Sequence, residues 1–178
     1  MQSFLELSKQ RYSCRKYSEK AVEREMIEKC LEAARLSPSA CNSQPWKYYV
    51  ITEPGQRAAV AQAMAEMNFN PFIGQAPVII AVTEDEQPNV MPRLKEAGMS
   101  HKYAYFDLGL SVAHLTLQAA ELGLGSIILG LFPENALREI TGMPEGDILR
   151  MLVLLGWPEE EGIPEKKRLP LEETAVFL

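Results

Sequence analysis

Histidine and cysteine are scarce, with two and three residues among 178. His101 and His114 have no companions at metal-ligand spacing. Cys14, Cys30 and Cys41 form no Cys-x-x-Cys pair, so a structural zinc site is not expected. Both histidines fall in or at the start of one long apolar segment, and no Ser-His-Asp arrangement is readable. Neither G-x-G-x-x-G nor G-x-x-x-x-G-K-[ST] occurs. "LGLGSIILG" lacks the third glycine and its helix, which leaves a Rossmann dinucleotide site unsupported. No apolar run approaches the length of a membrane span, and the opening "QSFLELSKQ" is no secretory signal, so a cytoplasmic location and no membrane partner are expected. Basic residues are outnumbered 18 to 24, and a net charge of −6 argues against nucleic acid as a partner. The thiols are expected to be reduced and incidental, since Cys14 and Cys41 sit in loops without a neighbouring base.

What remains is an ordinary globular composition, 47% hydrophobic and 24% charged, on a chain long enough for one domain over residues 1–178. "SFLELSKQ" carries a Ser-x-x-Glu capping box and reads as a helix. Between Val22 and Leu36, the apolar residues Met26, Ile27, Cys30, Leu31 and Ala34 recur at helical spacing. "WKYYVI" reads as a strand, "QRAAVAQAMAEM" as a helix, "NFNPFIGQ" as a loop, and "APVIIAVT" as a strand buried on both faces. Residues 84–100, with two prolines and mixed charge, read as an excursion or lid. The longest helix spans "HKYAYFDLGLSVAHLTLQAAELG", with Gly123 as its C-cap. His114 within it reads as a satisfied core histidine, while His101 at its start beside the lid could touch a substrate. "SIILGL" and "ILRMLVLLG" read as strands on either side of a helix, "PENALREITG". The pattern is α+β, a small sheet covered by helices. The proline-broken segment 157–178, ending in "AVFL", has little room to bury itself in so small a domain and reads as an arm for a partner subunit.

Two stretches point to a ligand. "RYSCR" places Arg11, Ser13 and Arg15 at alternate positions, which in an extended segment converge on one face and suit an anion such as phosphate. "KKR" (Lys166, Lys167, Arg168) forms a second basic group near the other end. Solvated surface charge is the other reading of both. "SPSACNSQPW", residues 37–46, is a polar, proline-stiffened loop between two apolar segments, and it cannot bury its own backbone.

The "RYSCR" element, the "PSACNSQPW" loop at this separation, the helix "FDLGLSVAHLTLQAAELGLGS" and the tail "LGWPEE…KKRLPLEETAVF" together resemble the FMN-dependent nitroreductase family over nearly the whole chain. The resemblance implies a nitroreductase-like α+β fold with a small mixed sheet, a long central helix and an intertwined homodimer with exchanged C-terminal arms. It also implies FMN as cofactor, NADH or NADPH as reductant, and ping-pong transfer to a nitroaromatic, quinone or similar small conjugated acceptor. A flavin-binding carrier or sensor without turnover, and a specialised chemistry such as dehalogenation, thiazoline oxidation or flavin fragmentation, are the alternatives. Carried over, Arg11, Ser13 and Arg168, with the neighbouring Tyr12 and Lys166, would hold the phosphate end. Arg15 would face the N1/O2 edge of the ring. Pro38, Ser39, Ala40, Asn42 and Gln44 would reach the cofactor from the other subunit, Asn70 would lie near it, and Ile128, Leu129 and Gly130 would approach N5 and O4. No protein acid or base is required by this resemblance.

Overall fold

The computed structural model describes residues 3–68 and 70–178; Phe69, inside the segment expected to be loop, lies outside them, as do Met1 and Gln2. The first helix, α1 (Phe4–Gln10), is closed by the capping box expected: Glu6 N donates to Ser3 Oγ and Ser3 N to Glu6 Oε2. Helix α2 (Arg24–Arg35) buries Ile27, Cys30 and Ala34, the inner line of its apolar face. Strand β1 (Trp46–Ile51), helix α3 (Pro54–Glu66), strand β2 (Val78–Asp85), the short helix α4 (Pro92–Glu96) and the long helix α5 (Ser100–Glu121) follow. Then come β3 (Gly125–Leu129), α6 (Glu134–Thr141), β4 (Asp147–Gly156) and the single turn α7 (Leu171–Thr174).

The four strands form one sheet in the order β1-β2-β4-β3. Every pairing between them is antiparallel, which corrects the expectation of a mixed sheet. Apolar pattern identifies a strand but does not set the direction of its neighbour, which depends on how the connections run. Parallel geometry occurs among the described residues only at an isolated bridge between Ser13 and Ser126.

Both faces of the sheet are covered, so β2 is buried at every residue except its last. Ile79 and Ala81 pack toward Val60 and Met64 of α3 and Leu137 of α6. Val78, Ile80 and Val82 pack toward α2 and the Leu108, Val112, Leu115 and Ala119 stripe of α5. Helix α5 is thus central, as its apolar sequence requires. Gly123 and Gly142 adopt left-handed φ after α5 and α6 and end them.

The segment expected as a lid over residues 84–100 is only partly one. Glu84 and Asp85 complete β2, and Glu84 is fully buried. The excursion proper runs between β2 and α5 and contains α4. The loop at "NFNPFIGQ" also holds more order than expected, a 3-10 turn over Pro71–Gln75. The tail leaves the core after Trp157. Lys166 Nζ donates to the Ser8 carbonyl at 2.7 Å, and Val176, Phe177 and Leu178 are exposed.

Candidate functional site

The "RYSCR" segment lies in extended conformation along the outer side of edge strand β3. Cys14 N donates to Ser126 O at 2.9 Å, the bridge that fixes its register. Alternation then sorts its side chains. Cys14 and Tyr17 are buried, and Tyr12 packs against the same core. Ser13 and Arg15 are exposed and Arg11 is half-buried, with Arg15 donating to its own neighbour, Ser13 O, at 3.2 Å. Burial, reinforced by the Cys14 thiol, pushes the Tyr12 phenol up to about 12. Tyr12 also borders a cavity of about 430 Å³ together with Arg11, Gly123 and Ser126.

Arg11 and Ser13 line a cavity of about 420 Å³ together with Ser8, Ile128 and the small residues Gly109 and Ala113 of α5. Lys166 joins this group from the tail through Ser8, which it contacts directly. Burial holds the Lys166 ammonium below its ordinary pKa, and the positive charges of Arg11 and Arg168 push in the same direction. Lys166 thus feels the positive charge of both arginines. Among the described residues, none of Arg11, Lys166 and Arg168 is in an ion pair with a carboxylate. A cluster of like charge with a hydroxyl beside it and no internal counter-charge has the chemistry of an anion site. Of the residues expected to approach the ring atoms, Ile128 is half-exposed on this cavity, Leu129 is buried in the core, and an added Cβ at Gly130 would meet open space.

The polar loop sits elsewhere on the same helix. Cys41, Asn42 and Gln44 have φ of 55°, 53° and 46°, left-handed conformations that are costly for residues with side chains. Asp107 of α5, which the sequence reading passed over, accepts from Ala40 N at 3.0 and 3.1 Å and from Ser43 Oγ at 3.4 Å. Pro38, Asn42 and Gln44 are exposed, and Ser39 and Ala40 are half-buried. At 3.6 residues per turn, Asp107 and Ser111 lie on one side of α5 while Gly109, Ala113 and Leu117 lie on the opposite side. The loop and the cation cavity of one chain are therefore on opposite flanks of α5. Asn70, the left-handed residue opening the 3-10 turn, shares no described cavity with either.

A further polar cluster also escaped the sequence reading. Val82 pairs with Met151 and Thr83 with Leu149, so Arg150 is the extra residue of a β-bulge. Its Nε donates to Glu84 Oε2 at 2.6 Å, its guanidinium lies 4.4 Å from the Tyr105 ring centre, and His101 Nδ1 meets the other Glu84 oxygen. His101 also borders a cavity of about 300 Å³ lined by Glu86, Lys95 and Ser100. His114 has a partner, with Nδ1 3.3 Å from Ala33 O, but is half-buried at the helix surface rather than in the core as expected. Among the described residues no group of His, Cys, Asp and Glu could hold a metal, and no helix is long and apolar enough to cross a membrane.

Comparison with known proteins agrees with this architecture. Residues 8–157 match the model of the nitroreductase family. An Archaeoglobus fulgidus protein, provisionally named NADH dehydrogenase/NAD(P)H nitroreductase, is 33% identical over 90% of this chain and 88% of its own. A Thermus thermophilus NADH dehydrogenase is 30% identical over 94% of this chain and 92% of its own. A provisionally named nitroreductase from Exiguobacterium sibiricum, solved in complex with FMN, superposes with a TM-score of 0.83 at 25% identity, over 100% of this chain and 98% of that one. With a family match across most of its length and the fold to go with it, this chain belongs to the nitroreductase family.

Proposed function

We propose that the protein is an FMN-dependent NAD(P)H oxidoreductase that passes reducing equivalents to a nitroaromatic, quinone or similar small conjugated acceptor. The observation that carries this reading is the cavity lined by Arg11 and Ser13, with Lys166 held on Ser8 of the same cavity and no acidic partner for Arg11, Lys166 or Arg168 among the described residues. A phosphate monoester supplies the charge the cluster lacks. Arg11 and Arg168 would hold it by charge-assisted hydrogen bonds, Ser13 by its hydroxyl, and Lys166 as a point charge already anchored on Ser8. The small side chains of Gly109 and Ala113 leave width in the groove for a flat ring system. When bound, FMN supplies hydride acceptance and donation, chemistry that none of these side chains can perform. Arg15, exposed at the end of the same extended face, would offer a fixed cation to the ring edge where negative charge accumulates on reduction. Relatives named for NADH and for an FMN complex support the same assignment.

The site would be completed by a second copy of the chain. Loop 38–44 and the cation cavity occupy opposite flanks of α5, so both can meet one cofactor only between two molecules. The cavity flank of α5 also exposes Phe106 and Leu110, and α1 exposes Phe4 and Leu5, a grouping of large apolar side chains that water does not favour. In this homodimer Pro38, Ser39, Ala40, Asn42 and Gln44 come from one copy, and Arg11, Ser13, Lys166 and Arg168 from the other.

Anaerobic mixing of the FMN-loaded protein with NADH and with NADPH tests the reading. Loss of the oxidised flavin absorbance with either nucleotide, and its return on adding a quinone, is expected. Flavin that dithionite bleaches but neither nucleotide reduces would leave a carrier or sensor instead.

A further inference from the structure

Loop 38–44 is held in a conformation its own residues do not favour. Three of its side-chain-bearing residues are left-handed, and one proline lies at each end. Its internal bonds close turns without tying it to the rest of the molecule: Asn42 N to Ser39 O, Ser43 N to Ala40 O, and Gln44 N to Ser39 Oγ, each 3.0 Å. The Ser37 hydroxyl at its entry is buried and has no partner. Among the described residues, the one side chain outside the loop that hydrogen-bonds to it is Asp107, through Ala40 N–H and Ser43 Oγ. Asp107 is itself buried and belongs to no ion pair described. A buried carboxylate requires hydrogen-bond donors, and here the loop provides them. One turn further along the same side of α5, Ser111 Oγ donates to Ala34 O, in the helix end that precedes the loop.

We propose that Asp107 is a positioning residue: from the middle of α5 it holds loop 38–44 in the strained form that presents Pro38, Ser39, Ala40, Asn42 and Gln44 to FMN. This rests on the cofactor assignment made above. A purely structural carboxylate would stabilise the domain as a whole. A positioning one sets the conformation of a loop whose backbone energy opposes it, so its removal acts on the loop and on the cofactor's surroundings first. The near-isosteric Asp107→Asn keeps one acceptor for Ala40 N–H and loses the charge, whereas Asp107→Ala loses both contacts.

Amide hydrogen exchange of the cofactor-free protein, FMN titration, and visible circular dichroism of the bound flavin test this together. Loss of a charge-assisted bond predicts exchange at Ala40 N–H faster by about tenfold to a hundredfold in Asp107→Ala, with strands β2 and β4 unchanged. FMN affinity should fall by about the same factor, the dichroism of the bound flavin should change shape, and Asp107→Asn should lie between wild type and Asp107→Ala. Wild-type loop exchange and wild-type flavin dichroism in both variants would overturn the proposal. So would exchange accelerated equally throughout the fold with an unaltered flavin spectrum, which is the signature of a carboxylate that only stabilises. Wild-type protein that takes up no FMN would instead defeat the function proposed above, while loop exchange in the cofactor-free protein would still show whether Asp107 restrains residues 38–44.

Discussion

A Cβ added at Gly125 would lie 2.7 Å from both Cβ and Sγ of Cys14. That closeness lets the extended segment carrying Arg11 and Ser13 lie against the end of β3, where Cys14 N bonds to Ser126 O. Gly125→Ala should therefore displace the segment rather than merely crowd it. Overpacking of this kind costs about 1–3 kcal/mol, and the affected backbone carries Arg11 and Ser13, the proposed phosphate ligands. Urea melts should show the stability loss, and FMN titration should show weaker binding than global destabilisation alone explains. Gly130→Ala, where an added Cβ meets open space within the chain, is the control for stability.

Arg15 and Arg168 are predicted to fail in different ways. Losing one charge-assisted hydrogen bond costs about 1.5–3 kcal/mol. At Arg15 the cost should fall on the reduced cofactor and lower its two-electron potential by roughly 30–65 mV. At Arg168 it should fall equally on both redox forms, weakening FMN about tenfold to a hundredfold with little change in potential. Spectroelectrochemistry of Arg15→Gln and Arg168→Gln reads both, and an unchanged potential in Arg15→Gln would remove Arg15 from the ring edge.

Lys166 gives the site a pH signature. Burial, Arg11 and Arg168 all lower its pKa below the 10.5 of a free lysine. Between the folded and unfolded values the folded chain binds fewer protons, so this group's contribution to stability rises with pH across that window. A bound dianion reverses the pattern: it favours the ammonium, draws in a proton, and should bind more weakly as pH rises through the same window. Inorganic sulfate, which does not itself titrate there, is the suitable probe. Its protection against thermal unfolding should decline in the wild type as pH rises toward the 10.5 of a free lysine and stay flatter in Lys166→Arg, whose charge persists. Equal slopes in the two proteins would detach Lys166 from the anion.

Much of this site is local in the chain, and that part was legible. Arg11 and Ser13 line one cavity from alternate positions of a single extended segment, and "WKYYVI" forms β1 residue for residue as its β-rich composition predicts. What depends on pairing between distant segments was not. Nothing near Arg150 announces that a bulge will turn it toward Glu84, and strand direction across the sheet is invisible to apolar periodicity. Asp107 left a signal that was available and unused: it is the single carboxylate between Tyr103 and Ala120 in an otherwise apolar helix, and such a residue needs a partner. Glu84, at the end of the apolar run of β2, left the same kind of mark.

The arm supplies the last prediction. Lys166 and Arg168 lie between the core and the exposed residues Val176, Phe177 and Leu178, so the segment that carries two of the proposed phosphate ligands continues directly into an apolar stretch with no cover of its own. If that end clasps the second copy, removing it takes away three large apolar side chains at about 1.5–3 kcal/mol each when buried, several kcal/mol of dimer stability. Each cofactor site is proposed to draw on both copies, so FMN bound only by the dimer must weaken as the protein is diluted. A variant ending at Glu173 should therefore lose FMN and dimer together, and excess FMN should drive part of it back to dimer. Light scattering with an absorbance trace at the flavin band measures both at once. A truncated protein that elutes as a monomer and still carries one FMN per chain would show that Arg11, Ser13 and Arg168 need no second copy, and the assignment of Pro38 to Gln44 across an interface would fall with it.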